Sequence, residues 1–126
     1  MELLKSWKTA HKVSVIQDGE KATQYFADCG NNRVKPLPDL VLLDYNLPKS
    51  SGLEVLKEIK SYNTLSHIPV LILTTSQSKT DLTQLYENHA NCVLSKPVDL
   101  VSYEEMLKAI ETFWLQTVHL PSITRA

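Results

Sequence analysis

The chain has 126 residues, of which 43% are apolar and 21% are charged, a balance typical of a globular domain with one core. Its formal net charge of −1 offers no electrostatic attraction for DNA or an anionic membrane, so we expect neither as a partner. No apolar run approaches the roughly 18 residues of a membrane span, and the start of the chain lacks a signal-peptide pattern. These features favour a cytoplasmic location.

The first part of the chain is predicted to contain two helices and two strands. Residues 1–9 have helical spacing of apolar side chains, and residues 13–16 alternate as a half-buried edge strand. A second helix is predicted over residues 20–29, where a Gly-Asn-Asn sequence follows that suits the left-handed conformation of a helix cap. The short apolar run 40–43, bounded by turn signals, predicts a buried parallel strand that ends at Asp44.

The remaining part continues the alternation of strands and helices. Helices are predicted to begin near Gly52, at the capping sequence of residues 78–81 and at a second capping sequence of residues 102–105. Between them, the apolar runs 70–73 and 92–95 predict two further buried strands. This alternation is typical of an α/β fold with a parallel sheet and helices on both faces.

Three polar side chains follow the predicted parallel strands. Asp44, Thr74 and Lys96 each come directly after an apolar run, and the carboxyl ends of parallel strands form the ligand-binding edge of such a sheet. Each residue alone has an ordinary explanation, as a helix cap, a strand-end hydroxyl or a solvated lysine. Together they predict a site that combines a carboxylate, a hydroxyl and an ammonium group.

Several sequence features resemble the receiver domain of two-component response regulators. Thr74 lies 30 positions after Asp44, and Lys96 lies 22 positions after Thr74. A Leu47-Pro48 pair follows the strand that ends at Asp44, and Lys96-Pro97 follows the last strand. Three further segments are similar to the single-domain receivers that partner cyanobacterial-type phytochromes: Leu73-Thr74-Thr75-Ser76, Asn88-His89-Ala90-Asn91-Cys92 and Phe113-Trp114-Leu115. The resemblance extends from Leu3 to Pro121.

The resemblance implies a role for each residue of the predicted site. Asp44 would be the phosphoacceptor, Thr74 would donate a hydrogen bond to the phosphoryl group, and Lys96 would neutralise its charge. Asp44 and the backbone carbonyl of Asn46 would bind Mg²⁺ in the family pattern. A sensor histidine kinase, with a phytochrome as one candidate, would be the phosphoryl donor.

The resemblance also implies a flavodoxin-like sheet of order 2-1-3-4-5, from which this sequence departs at its start. Because residues 1–9 correspond to the family's first helix, we expect the first central strand and its metal-binding acidic pair to be absent. A buried strand of about five apolar side chains, at roughly 1.5–3 kcal/mol each, contributes too much stability to lose without compensation. We therefore expect a rearranged sheet or strand exchange with a second chain, and weak Mg²⁺ binding.

We interpret residues 1–126 as a single receiver-like domain without an output domain, which would signal through protein contact and is not an enzyme. A homodimer could form by strand exchange or through the surface of the family's fourth helix, fifth strand and fifth helix. One alternative is a binding module that acts without phosphorylation. Another is a haloacid-dehalogenase-like phosphatase, but that class needs a general acid where this chain has Asn46.

Overall fold

The computed structural model describes residues 18–33, 37–46 and 49–120. The helix predicted over residues 1–9 and the strand predicted over residues 13–16 lie outside this part, as does the expected rearrangement or strand exchange beside the sheet. No helix within the described ranges is long and apolar enough to cross a membrane.

The described sheet contains three parallel strands in the order β1-β2-β3. They are β1 (Val41–Asp44), β2 (Val70–Thr74) and β3 (Cys92–Ser95). In the register of the sheet, Asp44 is opposite Leu73 and Thr74 is opposite Ser95, so the strands end at nearly the same level. The sequence predicted these strands correctly to within one residue, because each buried run is short and bounded by turn residues.

Helices precede and follow these strands. They are α1 (Gly19–Gly30), α2 (Gly52–Ser61), α3 (Lys79–Glu87), α4 (Leu100–Ile110) and a π-helical segment (Glu111–Thr117) that continues α4. Side chains of Asp18, Ser51, Ser78 and Asp99 accept hydrogen bonds from the first-turn backbone amides of the four α-helices. Each helix therefore begins where a short polar side chain replaces a missing backbone partner.

The predicted cap of the last helix, Ser102, lies three residues after the observed cap, Asp99. α4 begins at Leu100 and not at Ser102, because the Asp99 carboxylate is the cap. Asp99 Oδ1 accepts from the Ser102 backbone amide at 2.8 Å, and Asp99 Oδ2 accepts from the Ser102 hydroxyl at 2.9 Å. Ser102, predicted to be the cap, is thus the partner of the cap.

The strands separate two apolar clusters, which lie on opposite faces of the sheet. Val41, Leu43, Val70 and Ile72 belong to the cluster formed with α1, α2 and α3. The intervening Leu40, Leu42 and Leu71, with Cys92 and Leu94 of β3, belong to the cluster that contains Leu107 and Ile110 of α4. The prediction of helices on both faces is confirmed.

Two helical segments carry large apolar side chains that are exposed. On α3, Leu85 is buried, whereas Leu82 and Tyr86 are 42% and 48% exposed. In the π-helical segment, Trp114 packs against the core and Phe113 is 54% exposed. The side-chain spacing of an α-helix does not hold in this segment, since a π-helix has a wider turn than an α-helix.

Candidate functional site

The carboxyl edge of the sheet holds an ion pair between two of the predicted site residues. Lys96 Nζ donates to Asp44 Oδ2 at 2.6 Å, and the two side chains remain 34% and 29% exposed. The hydrogen bond with Asp44 raises the pKa of Lys96, against the opposing effect of burial. The ammonium is therefore charged and in place beside the carboxylate.

The second carboxylate oxygen of Asp44 accepts a hydrogen bond from the loop that follows β1. Asp44 Oδ1 accepts from the Asn46 backbone amide at 2.9 Å. The same loop is tied to the sheet by a hydrogen bond from the Tyr45 amide to the Leu73 carbonyl at 2.8 Å. Gly52 packs so tightly against this loop that a Cβ there would lie 2.7 Å from Tyr45 Cα. The backbone thus fixes the orientation of the carboxylate.

Thr74 is the last residue of β2, the strand between the two that bring Asp44 and Lys96 together. It is 5% exposed, and its Oγ1 accepts from the Ser76 backbone amide at 2.9 Å. Its carbonyl accepts from the Lys96 amide at 2.8 Å. All three predicted side chains lie at one edge of the sheet, as expected from the ends of parallel strands.

Two contacts around these residues were not predicted from the sequence. Asn46 Nδ2 donates to Thr75 Oγ1 at 3.3 Å and so connects the loops that follow β1 and β2. Ser76 Oγ donates to Asp81 Oδ2 at 2.7 Å. In the capping box predicted for residues 78–81, the Asp81 carboxylate would accept a hydrogen bond from the Ser78 amide. In the structure, the Ser78 amide donates to Ser76 Oγ at 3.2 Å.

Asp44 and Asn46 are the residues that the sequence predicted as ligands of a divalent cation. Both oxygens of Asp44 accept hydrogen bonds, and no group of three or more histidine, cysteine, aspartate or glutamate side chains there could hold a metal ion. Mg²⁺ usually takes one or two carboxylates together with phosphate oxygens. Asp44 supplies one carboxylate at this edge, and the backbone carbonyl of Asn46 would supply a further oxygen.

The carboxylate and the ammonium group at this edge form an arrangement that suits phosphoryl transfer. A carboxylate can attack phosphorus, and an adjacent ammonium stabilises the charge that develops on the phosphoryl oxygens. Comparison with known proteins identifies the family to which this arrangement belongs: the profile of the response regulator receiver domain matches residues 1–111. The chain belongs to this receiver family.

The receiver's relatives include phytochrome response regulators. Response regulator Rcp1 from Synechocystis sp. is 43% identical over 121 residues, which are 96% of this chain and 82% of the relative. The crystal structure of the phosphorylated cyanobacterial phytochrome response regulator RcpA has a TM-score of 0.86 at 43% identity. The match covers 96% of this chain and 86% of the RcpA chain. The resemblance found in the sequence is confirmed.

The structure of the Mn²⁺-bound form of Rcp1 is similar to the same degree. Its TM-score is 0.85 at 43% identity, and the match covers 96% of the receiver and 87% of Rcp1. These likenesses confirm the flavodoxin-like receiver fold. The expected absence of the first central strand concerns a part of the fold outside the described residues, and it stays a prediction.

Proposed function

We propose that this receiver accepts a phosphoryl group on Asp44 from a sensor histidine kinase and signals through contact with another protein. The 2.6 Å contact between Lys96 Nζ and Asp44 Oδ2 carries the proposal, because it combines a nucleophile and a charge-stabilising group at one edge. The relative RcpA supports it, since its crystal structure is that of a phosphorylated response regulator.

The chemical step transfers the phosphoryl group from nitrogen to oxygen. One oxygen of Asp44 forms the new P–O bond while the P–N bond of a phosphohistidine breaks, and its electron pair leaves with the imidazole nitrogen. Lys96 then neutralises one phosphoryl oxygen, and the Thr74 hydroxyl donates to another. For this, Lys96 exchanges its contact with the carboxylate for one with the incoming group.

Phosphorylation by acetyl phosphate, followed by mass spectrometry of the intact chain, tests the proposal. Wild type should gain one phosphoryl group and Asp44→Asn should gain none. Asp28→Asn is the matched control, because Asp28 lies in the last turn of α1 and binds Gln24 and Arg33. Labelling that survives Asp44→Asn would exclude Asp44 as the acceptor.

We also propose that the chain of 126 residues binds Mg²⁺ weakly. In the described part, one carboxylate is available at the edge and Lys96 competes for it. Titration with Mg²⁺, followed by the amide resonance of Asn46, should show no saturation at millimolar concentrations. Saturable binding in that range would contradict this proposal and would require a further carboxylate, such as that of Asp18, beside Asp44.

A phytochrome kinase is the donor that the relatives favour. Both crystal structures of similar chains belong to response regulators, and one is named as a phytochrome response regulator. Phosphoryl transfer from an autophosphorylated phytochrome kinase should therefore be faster than from a kinase with another sensor. Equal rates would remove the support for a phytochrome partner. The cytoplasmic location stays a prediction. So does the homodimer, whether it forms by strand exchange or through α3, β3 and α4, which correspond to the family's fourth helix, fifth strand and fifth helix.

A second candidate function, a binding module independent of phosphorylation, is favoured by the same ion pair. A carboxylate that accepts two hydrogen bonds is a weakened nucleophile. If this function is correct, affinity for the kinase will be equal for wild type and Asp44→Asn, before and after acetyl phosphate. The phosphatase alternative loses its basis, because the chain belongs to the receiver family and Asn46 cannot serve as the general acid.

A further inference from the structure

The loop between β2 and α3 holds the Thr74 hydroxyl through a chain of hydrogen bonds. Thr74 Oγ1 accepts from the Ser76 amide at 2.9 Å. A change in the Thr74 side-chain rotamer moves Oγ1 away from that amide, because the three staggered positions of the hydroxyl lie far apart. The position of the Ser76 backbone therefore determines which Thr74 rotamer has a partner.

Ser76 is itself fixed to the first turn of α3. Its hydroxyl donates to Asp81 Oδ2 at 2.7 Å and accepts from the Ser78 amide at 3.2 Å. The contact with Asp81 is partly buried and involves an ionised acceptor, the kind of hydrogen bond that is shorter and stronger than a neutral one. Ser76 is thus held at two points, its hydroxyl and its backbone amide.

We propose that Asp81 is a positioning residue for Thr74: through Ser76, it keeps the Thr74 hydroxyl against the loop in the unphosphorylated chain. The inference rests on the proposed function, in which Thr74 must turn to donate to a phosphoryl oxygen on Asp44. That turn breaks the bond with the Ser76 amide or displaces Ser76, and the Asp81 carboxylate opposes the displacement. Asp81 therefore couples the start of α3 to the phosphorylation site.

The capping function of this turn can be separated from the proposed positioning function. Ser78 Oγ accepts from the Asp81 amide at 3.3 Å and caps α3, but the Ser78 side chain makes no described contact with Ser76. Ser78→Ala removes the cap and leaves the link between Ser76 and Asp81 in place. It is therefore the matched control for Asp81→Ala and Ser76→Ala, each of which removes that link.

The test measures the Thr74 rotamer populations in the unphosphorylated chain, from three-bond NMR couplings to its methyl group. Asp81→Ala and Ser76→Ala should each increase the minor rotamers roughly three- to tenfold, the effect of losing about one hydrogen bond, and the double variant should add little more. Ser78→Ala should leave the populations as in wild type. Unchanged populations in the first two variants, or an equal change in Ser78→Ala, would overturn the inference.

Labelling with acetyl phosphate provides a separate comparison. Asp81→Ala should be labelled faster than wild type by a similar factor, since more molecules have a free Thr74 hydroxyl. An unchanged rate in a variant whose rotamers have shifted would contradict the coupling between Asp81 and the site. If wild type is not labelled at all, the proposed function fails, and the rotamer measurement still decides whether Asp81 positions Thr74.

Discussion

Lys96 and Asp44 form an ion pair across the central strand of the described sheet. The residues are 52 positions apart in sequence, and β2 lies between the strands that carry them. Their 2.6 Å contact depends on both neighbouring pairings of the sheet, β1 with β2 and β2 with β3. The nucleophile and the charge-stabilising group are therefore placed by the sheet as a whole.

Replacing Lys96 should reduce phosphorylation much more than stability. Lys96→Ala removes the charge that stabilises the phosphoryl oxygens, so labelling by acetyl phosphate should slow by roughly a hundredfold. The free energy of unfolding should change by less than about 1 kcal/mol, because the pair is partly exposed. Lys49→Ala, which removes a second ion pair, with Asp18 at 3.3 Å, should leave labelling unchanged. Equal labelling of Lys96→Ala and wild type would contradict the assigned role.

Gly52→Ala should disturb the site through the backbone. The added Cβ would lie 2.7 Å from Tyr45 Cα and 2.8 Å from the Asp44 carbonyl oxygen, so the loop after β1 must move. We expect a loss of roughly 1–3 kcal/mol in urea unfolding together with slower labelling of Asp44. Ser51→Ala removes the cap of α2 and should cost about 1 kcal/mol with normal labelling. Wild-type labelling of Gly52→Ala would show that the loop tolerates the shift.

Lys60 has a structural function at the opposite end of the sheet. Its ammonium donates to the Ser66 and Ile68 carbonyls at 3.1 and 3.0 Å and to Asn91 Oδ1 at 3.3 Å, and burial lowers the pKa of Lys60. Lys60→Met keeps the apolar stem but removes the ammonium donor from the Ser66 and Ile68 carbonyls, whereas Asn91 Oδ1 still accepts from the Val70 amide at 2.9 Å. We expect a loss of roughly 1–3 kcal/mol in urea unfolding, and no comparable loss for Lys57→Met, because Lys57 is exposed on the same helix.

Asp99 should make stability depend on pH in the acidic range. Hydrogen bonds from the Ser102 amide and hydroxyl hold the pKa of Asp99 below the ordinary value of 3.8. Because the pKa of Asp99 is lower in the folded state, the stabilisation that its carboxylate gives to the fold is complete above pH 3.8. This stabilisation is lost as the pH falls through the folded-state pKa. The difference in urea midpoint between wild type and Asp99→Ala should be clear at neutral pH and shrink below 3.8.

The control for this pH dependence is Glu104→Ala, which removes an exposed carboxylate from the same helix without removing its cap. Its urea midpoint should follow that of wild type throughout the range. A difference between wild type and Asp99→Ala that stays constant down to the lowest pH would show that Asp99 acts through its shape and not through its charge.

The sequence determined the local features of this receiver. The strand runs and the polar residues at their ends could be predicted because burial on both sides requires short apolar segments, and parallel strands end at a common edge. Most helix starts could be predicted for a similarly local reason, since a short polar side chain must satisfy the first free amides.

The tertiary structure determined which hydrogen-bonding partners these residues bind. Asp44 could have bound a cation, a backbone amide or Lys96, and only the strand order places Lys96 Nζ 2.6 Å from it. Asp81 matches a capping box, but its carboxylate binds Ser76, because the loop after β2 brings that hydroxyl within 2.7 Å while the Ser78 amide donates to Ser76 Oγ. Hydrogen-bonding groups have several possible partners in the sequence, and the packing of the strands and loops determines which of them lie within hydrogen-bonding distance.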